Sequence, residues 1–305
     1  MDPSQGVALR EATEFLTSRF GATVRAVTAI AQQGLWSSAY RFQDGAADRV
    51  IRFSAMRENF DKDDVVARRA PSELPVPRIL EIGPAFGGYF AVSEHARGSE
   101  IDTLDAGGMR RVLPSLLATL DAVRRIDLSG SSGYGLWTGD GEGTHRTWAD
   151  ALLDNAAEIR ARVAATWVGA DAFDVGLARL RELVPRLPSE RHLIHCDLLH
   201  HNVLAADGRI TALLDWGSST IGDFVYDIAW LTFWAEWYPA WASIDFRAEA
   251  LAHYGGTGRT VEHFDERLRA YQIDIGLGNQ GWFASRGDNA NLRRVADKTR
   301  DLATS

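Results

Sequence analysis

Cysteine, basic charge and long apolar runs are all scarce in this chain. Cys196 is the only cysteine, which excludes an internal disulfide and is typical of a reducing cytosol. No run approaches the roughly 20 consecutive apolar residues of a membrane helix. Residues 1–6 also lack the basic-then-apolar pattern of a signal peptide. We therefore expect a cytoplasmic protein without a membrane partner.

Acidic residues outnumber basic ones. The 305 residues include 41 Asp and Glu against 33 Lys and Arg, which gives a formal net charge of −8. A protein that wraps a nucleic-acid backbone usually has the opposite balance. We therefore expect no nucleic-acid partner, and the charge suits a cationic small molecule better. The length permits one large domain or two lobes, and we expect a monomer.

The first third of the chain has the pattern of a small mixed lobe. Apolar spacing predicts a helix over 7–20, and a polar segment that Pro71 terminates predicts an exposed helix over 57–69. Short apolar runs separated by turn residues predict strands. These predicted strands cover 24–31, 39–43, 49–53, 79–82 and 89–94.

Helical patterns dominate after residue 97, apart from a Gly- and Ser-rich loop over 130–143 and short strands between 192 and 215. The predicted helices include 109–126, 148–167 and 173–187. The sequence therefore predicts an α+β fold with two lobes. Residues 1–97 would form a small N-lobe with an antiparallel sheet, and residues 98–305 a larger, mainly helical C-lobe. A connector near 93–98 would join them.

The residues that indicate chemistry lie between 195 and 217. His195-Cys196-Asp197-Leu198-Leu199-His200-His201-Asn202 has the pattern H-x-D-x-x-x-x-N, and Asp215-Trp216-Gly217 begins thirteen residues after Asn202. A hairpin that turns at Asp207-Gly208 would bring Asn202 and Asp215 to one end, beside Asp197. Two oxygen ligands suit Mg²⁺, and a carboxylate near them can accept a hydroxyl proton. The pattern is typical of kinase-type phosphoryl transfer.

Two other interpretations of this segment are open. H-x-D and Asp-Trp-Gly each occur alone in ordinary loops, although the combination in this order and spacing is much rarer. The three histidines and Cys196 could form a zinc site, but His253 and His263 follow without a paired ligand spacing. We favour a role for His195 in supporting the loop, and a packing role for Cys196.

Together these motifs resemble the aminoglycoside phosphotransferase family, and further matches indicate its hygromycin-type branch. The matching segments are Leu74–Pro77, Asp127–Ser129, Ser132–Gly135, Thr147–Trp148, His192–Trp234, Arg269–Tyr271 and Ile275–Leu277. The resemblance is colinear and covers most of the chain. It implies a two-lobed protein-kinase-like fold that moves the γ-phosphoryl group of a nucleoside triphosphate to an antibiotic hydroxyl, with ATP and Mg²⁺ bound.

The resemblance assigns the central roles by position. Asp197 would be the base, and Asn202 and Asp215 the Mg²⁺ ligands. Asp227 matches a position that braces the catalytic loop, and Asp223 is predicted to cap the helix that follows it.

The resemblance also assigns the nucleotide site. Residues 33–39 would cover the phosphates with backbone amides and the hydroxyls of Ser37 and Ser38, because this segment has a single glycine. An ordinary hairpin turn is the alternative. Arg52 would hold the phosphates in place of a lysine, with an acidic partner on the next helix. The competing acids are Asp61, Asp63 and Asp64. The connector residues placed near the purine base of the nucleotide are Glu94 and Ala96.

The acceptor would bind to the helical C-lobe. Trp230, Trp234, Trp237 and Trp241 recur at helical spacing, so they form either core or, for the later ones, the wall of a binding site. Carboxylates would attract a polycationic antibiotic. The candidate acceptor contacts are Glu236, Trp237, Trp241, Asp274 and Asp288. The hygromycin-type pattern has an acid where this chain has Gly278, so that contact is either missing or supplied by Asp274.

The sequence therefore predicts an ATP- and Mg²⁺-dependent O-phosphotransferase that modifies an aminoglycoside or aminocyclitol antibiotic, with hygromycin B favoured, and so confers resistance. A metabolic kinase of the same fold, acting on a sugar or amino alcohol, is the first alternative. A pseudokinase-type nucleotide-binding module is the second, and the joint presence of Asp197, Asn202 and Asp215 argues against it.

Overall fold

Strand-forming and helix-forming segments alternate in the first third of the chain, and helices follow. A computed structural model describes residues 6–31, 34, 37–139, 141–166 and 168–305. The chain packs into two compact units, Met1–Thr103 with His200–Ser218, and Leu104–Leu199 with Ser219–Ser305. This division by packing places the 200–218 hairpin in the first unit. The functional boundary at residues 97 and 98 stays a prediction.

Among the described residues, half of the strands lie in the first 103 residues, and most helices lie after them. The first 103 residues form α1 (Leu9–Phe20), β1 (Val24–Ala29), β2 (Ser37–Asp44), β3 (Ala47–Ser54), α2 (Arg57–Arg69), β4 (Ile79–Ala85), β5 (Gly88–Glu94) and β6 (Ser99–Glu100). Then come α3 (Ala106–Arg124), β7 (Tyr134–Trp137), β8 (Gly143–His145), α4 (Trp148–Leu153), α5 (Ala156–Ala164), α6 (Ala170–Leu183) and β9 (His192–Ile194). The hairpin forms β10 (Val203–Ala206) and β11 (Arg209–Leu213). The last part forms β12 (Thr220–Gly222), α7 (Val225–Trp234), α8 (Phe246–Gly256), α9 (Phe264–Arg286) and α10 (Asn289–Thr304).

The larger sheet of the first unit has the order β1-β2-β3-β5-β4 with antiparallel neighbours. Its core face packs Phe42, Ile51 and Phe53 against Leu16 of α1. Because successive strand residues point to opposite faces, Arg52 lies on the face opposite Ile51 and Phe53. The sheet therefore separates its apolar core from the face that carries Arg52.

The hairpin of β10 and β11 forms a second sheet with β6, in the order β11-β10-β6. Past the ends of the strands, the Leu214 N–H donates to the Asn202 carbonyl at 2.8 Å. Since Asp215 is the next residue, this bond fixes the backbones around Asn202 and Asp215 side by side.

The second unit combines a sheet of order β8-β7-β12-β9 with the helices α3 to α10. Helix α7 is apolar on nearly every side, and Val225, Ile228, Leu231 and Phe233 are buried. It packs on α9. In the described part of the chain, no helix is long and apolar enough to cross a membrane.

Two sequence-based assignments in this unit are wrong. The predicted loop over 130–143 contains β7 and the start of β8, because glycine lets the two backbones approach closely. A Cβ on Gly143 would lie 2.5 Å from the Tyr134 nitrogen. The single helix predicted over 148–167 is divided into α4 and α5 at Asn155, whose φ is +57°. Trp167, at its predicted end, lies outside the described residues.

Candidate active site

A nearly buried ion pair links strand and helix in the first unit. Arg52 on β3 pairs with Asp63 on α2, and Asp63 also accepts a hydrogen bond from the Trp216 N–H at 2.8 Å. Burial alone would lower the pKa of Arg52, but the carboxylates of Asp63 and Asp215 raise it. Arg52 therefore stays charged, within electrostatic range of the predicted metal ligand Asp215.

The structure resolves which acid partners Arg52. Asp61 pairs with Arg57 at 3.1 Å and Asp64 pairs with Arg68 at 2.9 Å, both one turn apart on the exposed side of α2. Asp63 is the member of the three that faces β3. A helical turn places only one of three neighbouring acids toward the sheet.

Left-handed backbone surrounds the two predicted metal ligands. His200, His201 and Asp215 have φ values of +64°, +75° and +59°, which non-glycine residues rarely adopt. Asp102 holds the turn, because its carboxylate accepts the N–H groups of His200 and His201 at 3.0 and 3.2 Å. Asn202 is 9% exposed. The Asn202 and Asp215 side chains offer oxygen donors on paired backbone, a donor set that fits Mg²⁺.

The segment before Asp197 is anchored inside the second unit. The carboxylate of Asp227 accepts the N–H groups of His195 and Cys196, each at 2.9 Å. His195 is fully buried, and its Nδ1 accepts the Asp197 N–H at 3.3 Å. The predicted bracing role of Asp227 and supporting role of His195 are confirmed. Burial raises the pKa of Asp227, while His195 and the two N–H groups oppose the rise.

Cys196 packs rather than reacts. Burial, together with the Asp227 carboxylate, raises the pKa of its thiol well above the ordinary value. A thiol in that state supplies little thiolate, the form that acts as nucleophile and metal ligand. His201 is another residue of the alternative zinc site. Its Nδ1 lies 2.6 Å from a Glu100 carboxylate oxygen.

Asp223 does more than cap the helix that follows it, which corrects the prediction of a capping role. Phe224 is the residue that precedes α7, although Asp223 does accept the Val225 N–H at 3.2 Å. Its carboxylate chiefly binds Arg267, whose Nε donates at 2.8 Å, and the Tyr271 hydroxyl, which donates at 2.5 Å. Because Arg267 is also buried, Asp223 provides the counter-charge that this burial requires.

The residues predicted to contact the nucleotide all lie in the first unit. Ser37 and Ser38 begin β2, opposite Ser54 and Phe53 of β3. Their neighbours Gln33, Leu35 and Trp36 are outside the described residues. Glu94 ends β5 and accepts a hydrogen bond from Arg78 Nε at 3.0 Å, which lowers the pKa of Glu94. Ala96 lies between β5 and β6. The nucleotide contacts of these residues stay predictions.

Four of the predicted acceptor contacts have structural partners. Trp241 is 1% exposed, and its Nε1 donates to the Leu104 carbonyl at 2.8 Å, which favours the core interpretation of this side chain. The Trp237 ring lies 3.9 Å from the Arg294 guanidinium. Glu236 is exposed and pairs with Lys298 at 2.8 Å. Asp288 caps α10 by accepting the Asn291 N–H at 3.1 Å.

Asp274, the fifth predicted contact, lines a cavity of about 250 Å³ in the second unit. It accepts a hydrogen bond from the Tyr226 hydroxyl at 2.8 Å. Burial raises the pKa of Asp274 to about 7. Gly278 lines the same cavity one turn further along α9. The sequence alone does not place Tyr226 in this group, because α7 and α9 are far apart in the chain.

Comparison with known proteins shows clear relatives. The family model described as "Phosphotransferase enzyme family" matches residues 28–266. Hygromycin-B 4-O-kinase of Escherichia coli is 31% identical over 250 residues, 80% of this chain and 71% of that protein. A thermostable mutant of aminoglycoside phosphotransferase APH(4)-Ia, in ternary complex with AMP-PNP and hygromycin B, has a TM-score of 0.80 at 27% identity and covers 95% of this chain and 97% of its own.

A more distant structure shares the fold alone. Spectinomycin phosphotransferase APH(9)-Ia, in complex with ADP and spectinomycin, has a TM-score of 0.63 at 13% identity, with 99% of each chain covered. The structural similarities confirm the predicted α+β fold of protein-kinase type.

Proposed function

We propose that this chain moves the γ-phosphoryl group of ATP to a hydroxyl of an aminoglycoside antibiotic. The chain belongs to the phosphotransferase enzyme family. Hygromycin B is the leading acceptor, an assignment supported by the similarity to hygromycin-B 4-O-kinase. The observation that carries the proposal is the electrostatic group of Arg52, Asp63 and Asp215 in the first unit. It combines a fixed cation with a carboxylate suited to a metal ion.

Arg52 is proposed to bind the phosphates of ATP. Its guanidinium can donate two hydrogen bonds to phosphate oxygens and keeps its charge when buried. Asp63 fixes the direction of this side chain and, through the Trp216 N–H, ties it to the turn that carries Asp215. Phosphoryl transfer depends mainly on positioning and charge neutralisation, so this orientation is the chief contribution of Asp63.

Asn202 and Asp215 are proposed to hold Mg²⁺ through their side-chain oxygens. When bound, Mg²⁺ neutralises charge on the phosphate oxygens. Asp102 keeps the left-handed turn before Asn202 in place. The hydrogen bond from Leu214 to Asn202 holds the Asp215 backbone beside it.

Asp197 is proposed to accept the proton of the acceptor hydroxyl. A positioned carboxylate can take this proton as the new bond to phosphorus forms. Asp227 and His195 fix the backbone on both sides of Cys196, immediately before Asp197. These two residues position Asp197 and take no part in proton transfer themselves.

The test is a transfer assay with the purified chain and ATP labelled in the γ-phosphoryl group. The acceptors are hygromycin B, other aminoglycosides, a simple sugar and an amino alcohol. We expect label in hygromycin B, loss of transfer with EDTA and recovery with Mg²⁺. Transfer to the sugar or amino alcohol alone would overturn the antibiotic assignment in favour of a metabolic kinase. ATP binding without transfer to any acceptor would contradict the enzyme function.

A further inference from the structure

Lysine is rare in this chain, which uses arginine for its other basic side chains of permanent charge. Lys62 and Lys298 are the only lysines in the sequence, and each binds a backbone carbonyl. Lys62 Nζ donates to the Gly217 carbonyl at 3.0 Å, and Lys298 Nζ donates to the Phe233 carbonyl at 2.7 Å. The Lys62 bond lies in the first unit, which also contains the proposed metal ligands.

The side chain of Lys62 is nearly buried, which is unusual for this residue type. It is 4% exposed, and the Glu58 carboxylate 3.9 Å from its Nζ belongs to a side chain that is 58% exposed. Burial of an ammonium group is costly unless hydrogen bonds or a counter-charge compensate for it. The charge-assisted bond to Gly217 therefore offsets part of this cost.

One face of α2 meets the turn that begins at Asp215. Asn59, Lys62 and Asp63 stand at positions i, i+3 and i+4 of this helix, so they share a face. A Cβ on Gly217 would lie 2.8 Å from Asn59 Cγ. The Asn59 side chain thus occupies the space that any larger residue would need, and the helix face and the turn are in direct contact.

Asp215 has a left-handed backbone conformation, with a φ of +59°. A non-glycine residue keeps such a conformation only where its surroundings impose it. Asp63 fixes the peptide group directly after Asp215, because its carboxylate accepts the Trp216 N–H. Lys62 fixes the peptide group two residues further on, through the Gly217 carbonyl. Both bonds therefore restrict the backbone that carries the Asp215 carboxylate.

We propose that Lys62 is a positioning residue for Asp215, and that its bond to Gly217 keeps the Asp215 carboxylate in the orientation that binds the metal ion. This inference rests on the metal site of the proposed function. Groups that orient a metal ligand typically change metal affinity by about 10–100-fold when they are removed. Asp63 also orients Arg52, whereas Lys62 bonds to the turn of the metal ligand. Loss of Lys62 is therefore expected to weaken metal binding more than nucleotide binding.

The first test measures Mn²⁺ binding at saturating ADP, through the electron paramagnetic resonance signal of free Mn²⁺, so that no turnover is needed. Lys62→Met removes the ammonium group and nearly keeps the length of the side chain. We expect the Kd for Mn²⁺ to rise about tenfold, while the Kd for ADP without metal changes less than about twofold. Lys62→Arg can still donate to the Gly217 carbonyl and should restore most of the Mn²⁺ affinity.

Lys298→Met is the matched control for this measurement. It removes the same type of bond, from an ammonium group to a carbonyl, on α10 of the second unit. The Lys298 side chain is also largely buried, with 11% exposed. Its Mn²⁺ affinity should equal that of the wild type. Asp215→Asn is the positive control and should weaken Mn²⁺ binding more than Lys62→Met does.

The second test uses the wild type and an amine-acylating reagent, because Lys62 and Lys298 carry the only side-chain amines. Coupling between two equilibria is reciprocal, so bound metal must stabilise the Lys62 bond as much as this bond stabilises metal binding. Mn²⁺ with ADP should therefore slow the acylation of Lys62, relative to ADP alone, by up to about tenfold. The acylation of Lys298 should stay unchanged, and mass spectrometry of the digested chain measures both rates.

The outcomes separate the inference from the proposed function. If Asp215→Asn weakens Mn²⁺ binding but Lys62→Met does not, or if Lys298→Met weakens it equally, the inference is overturned and the proposed function stands. If the wild type and Asp215→Asn bind Mn²⁺ equally, the proposed metal site fails, and the inference fails with it. Absence of transfer to any antibiotic, with Mn²⁺ binding that depends on Asp215 and Lys62, would overturn the antibiotic assignment alone. Should Lys62→Met not fold, the acylation test decides, and a Lys62 rate that is insensitive to Mn²⁺ overturns the inference.

Discussion

Asp274 makes the stability of the fold depend on the pH. Burial raises its pKa from the reference value of 3.8 to about 7. At a pH between these two values, Asp274 is protonated in the folded protein and ionised in the unfolded chain. The contribution of this group to stability therefore falls as the pH rises from about 4 to about 7.

We predict that Asp274→Asn raises the free energy of unfolding at pH 8. The substitution removes the free-energy cost of ionising the buried Asp274 carboxylate. This cost is up to about 4 kcal/mol, since the pKa is raised by about three units and each unit corresponds to about 1.4 kcal/mol. At pH 4 the variant and the wild type should differ little. Urea denaturation at the two pH values measures the difference. An equal gain in the free energy of unfolding at pH 4 and at pH 8 would contradict the raised pKa of Asp274.

The sequence predicts the roles of residues that belong to a short motif, because the motif is visible in the spacing of the chain itself. One spacing pattern predicts Asp197, Asn202 and Asp215, and their strand-and-turn context is as expected. The family resemblance predicts the role of Asp227, and its bonds to His195 and Cys196 fit that role. The Asp102 contact and the pairing of Tyr226 with Asp274 have no local signal. In each case the partners lie on segments brought together by tertiary packing, which the sequence does not reveal.

At the scale of elements, Asp63 joins three segments of the first unit. It connects α2 to Arg52 on β3 and to the Trp216 N–H after β11. We predict that Asp63→Ala destabilises the protein by about 3–5 kcal/mol, because Arg52 is left as an unpaired buried charge. It should also raise the KM for ATP. Urea denaturation and steady-state kinetics measure the two effects.

Asp61→Ala is the matched control for this prediction. Asp61 lies on the same helix, and its pair with Arg57 is partly exposed, with 49% of the Arg57 side chain and 34% of the Asp61 side chain accessible. Such a pair contributes about 1 kcal/mol at most. Similar destabilisation by Asp61→Ala and Asp63→Ala would show that the Arg52–Asp63 pair contributes no more to stability than a partly exposed pair.

The elements themselves are predictable to different degrees. Helix α2 has the predicted bounds of 57–69, because its charged turns end sharply at a proline. The short strands β7, β8 and β12 have no counterpart among the predicted elements. They contain glycines and have three or four residues between turns, so periodicity provides no signal. They form because β12 pairs with both β7 and β9, and β7 with β8.

At the scale of the whole molecule, the net charge of −8 favours a cationic acceptor over a nucleotide. We predict that the KM for hygromycin B rises several-fold between about 20 and about 300 mM NaCl, because salt screens long-range attraction. Potassium glutamate in place of NaCl controls for specific chloride effects. A KM that is independent of salt would mean that short-range contacts alone set the affinity.

We propose that Asp197 accepts the proton of the acceptor hydroxyl, and one measurement tests this role directly. The most direct measurement is the rate of label transfer from ATP to hygromycin B by the wild type, Asp197→Asn and Asp207→Asn. Asp207 lies on the hairpin turn between β10 and β11 and provides the same chemical change away from the proposed site. We predict a loss of about a thousandfold in Asp197→Asn, a rate near that of the wild type in Asp207→Asn, and equal unfolding midpoints. Near-wild-type transfer by folded Asp197→Asn would contradict the account.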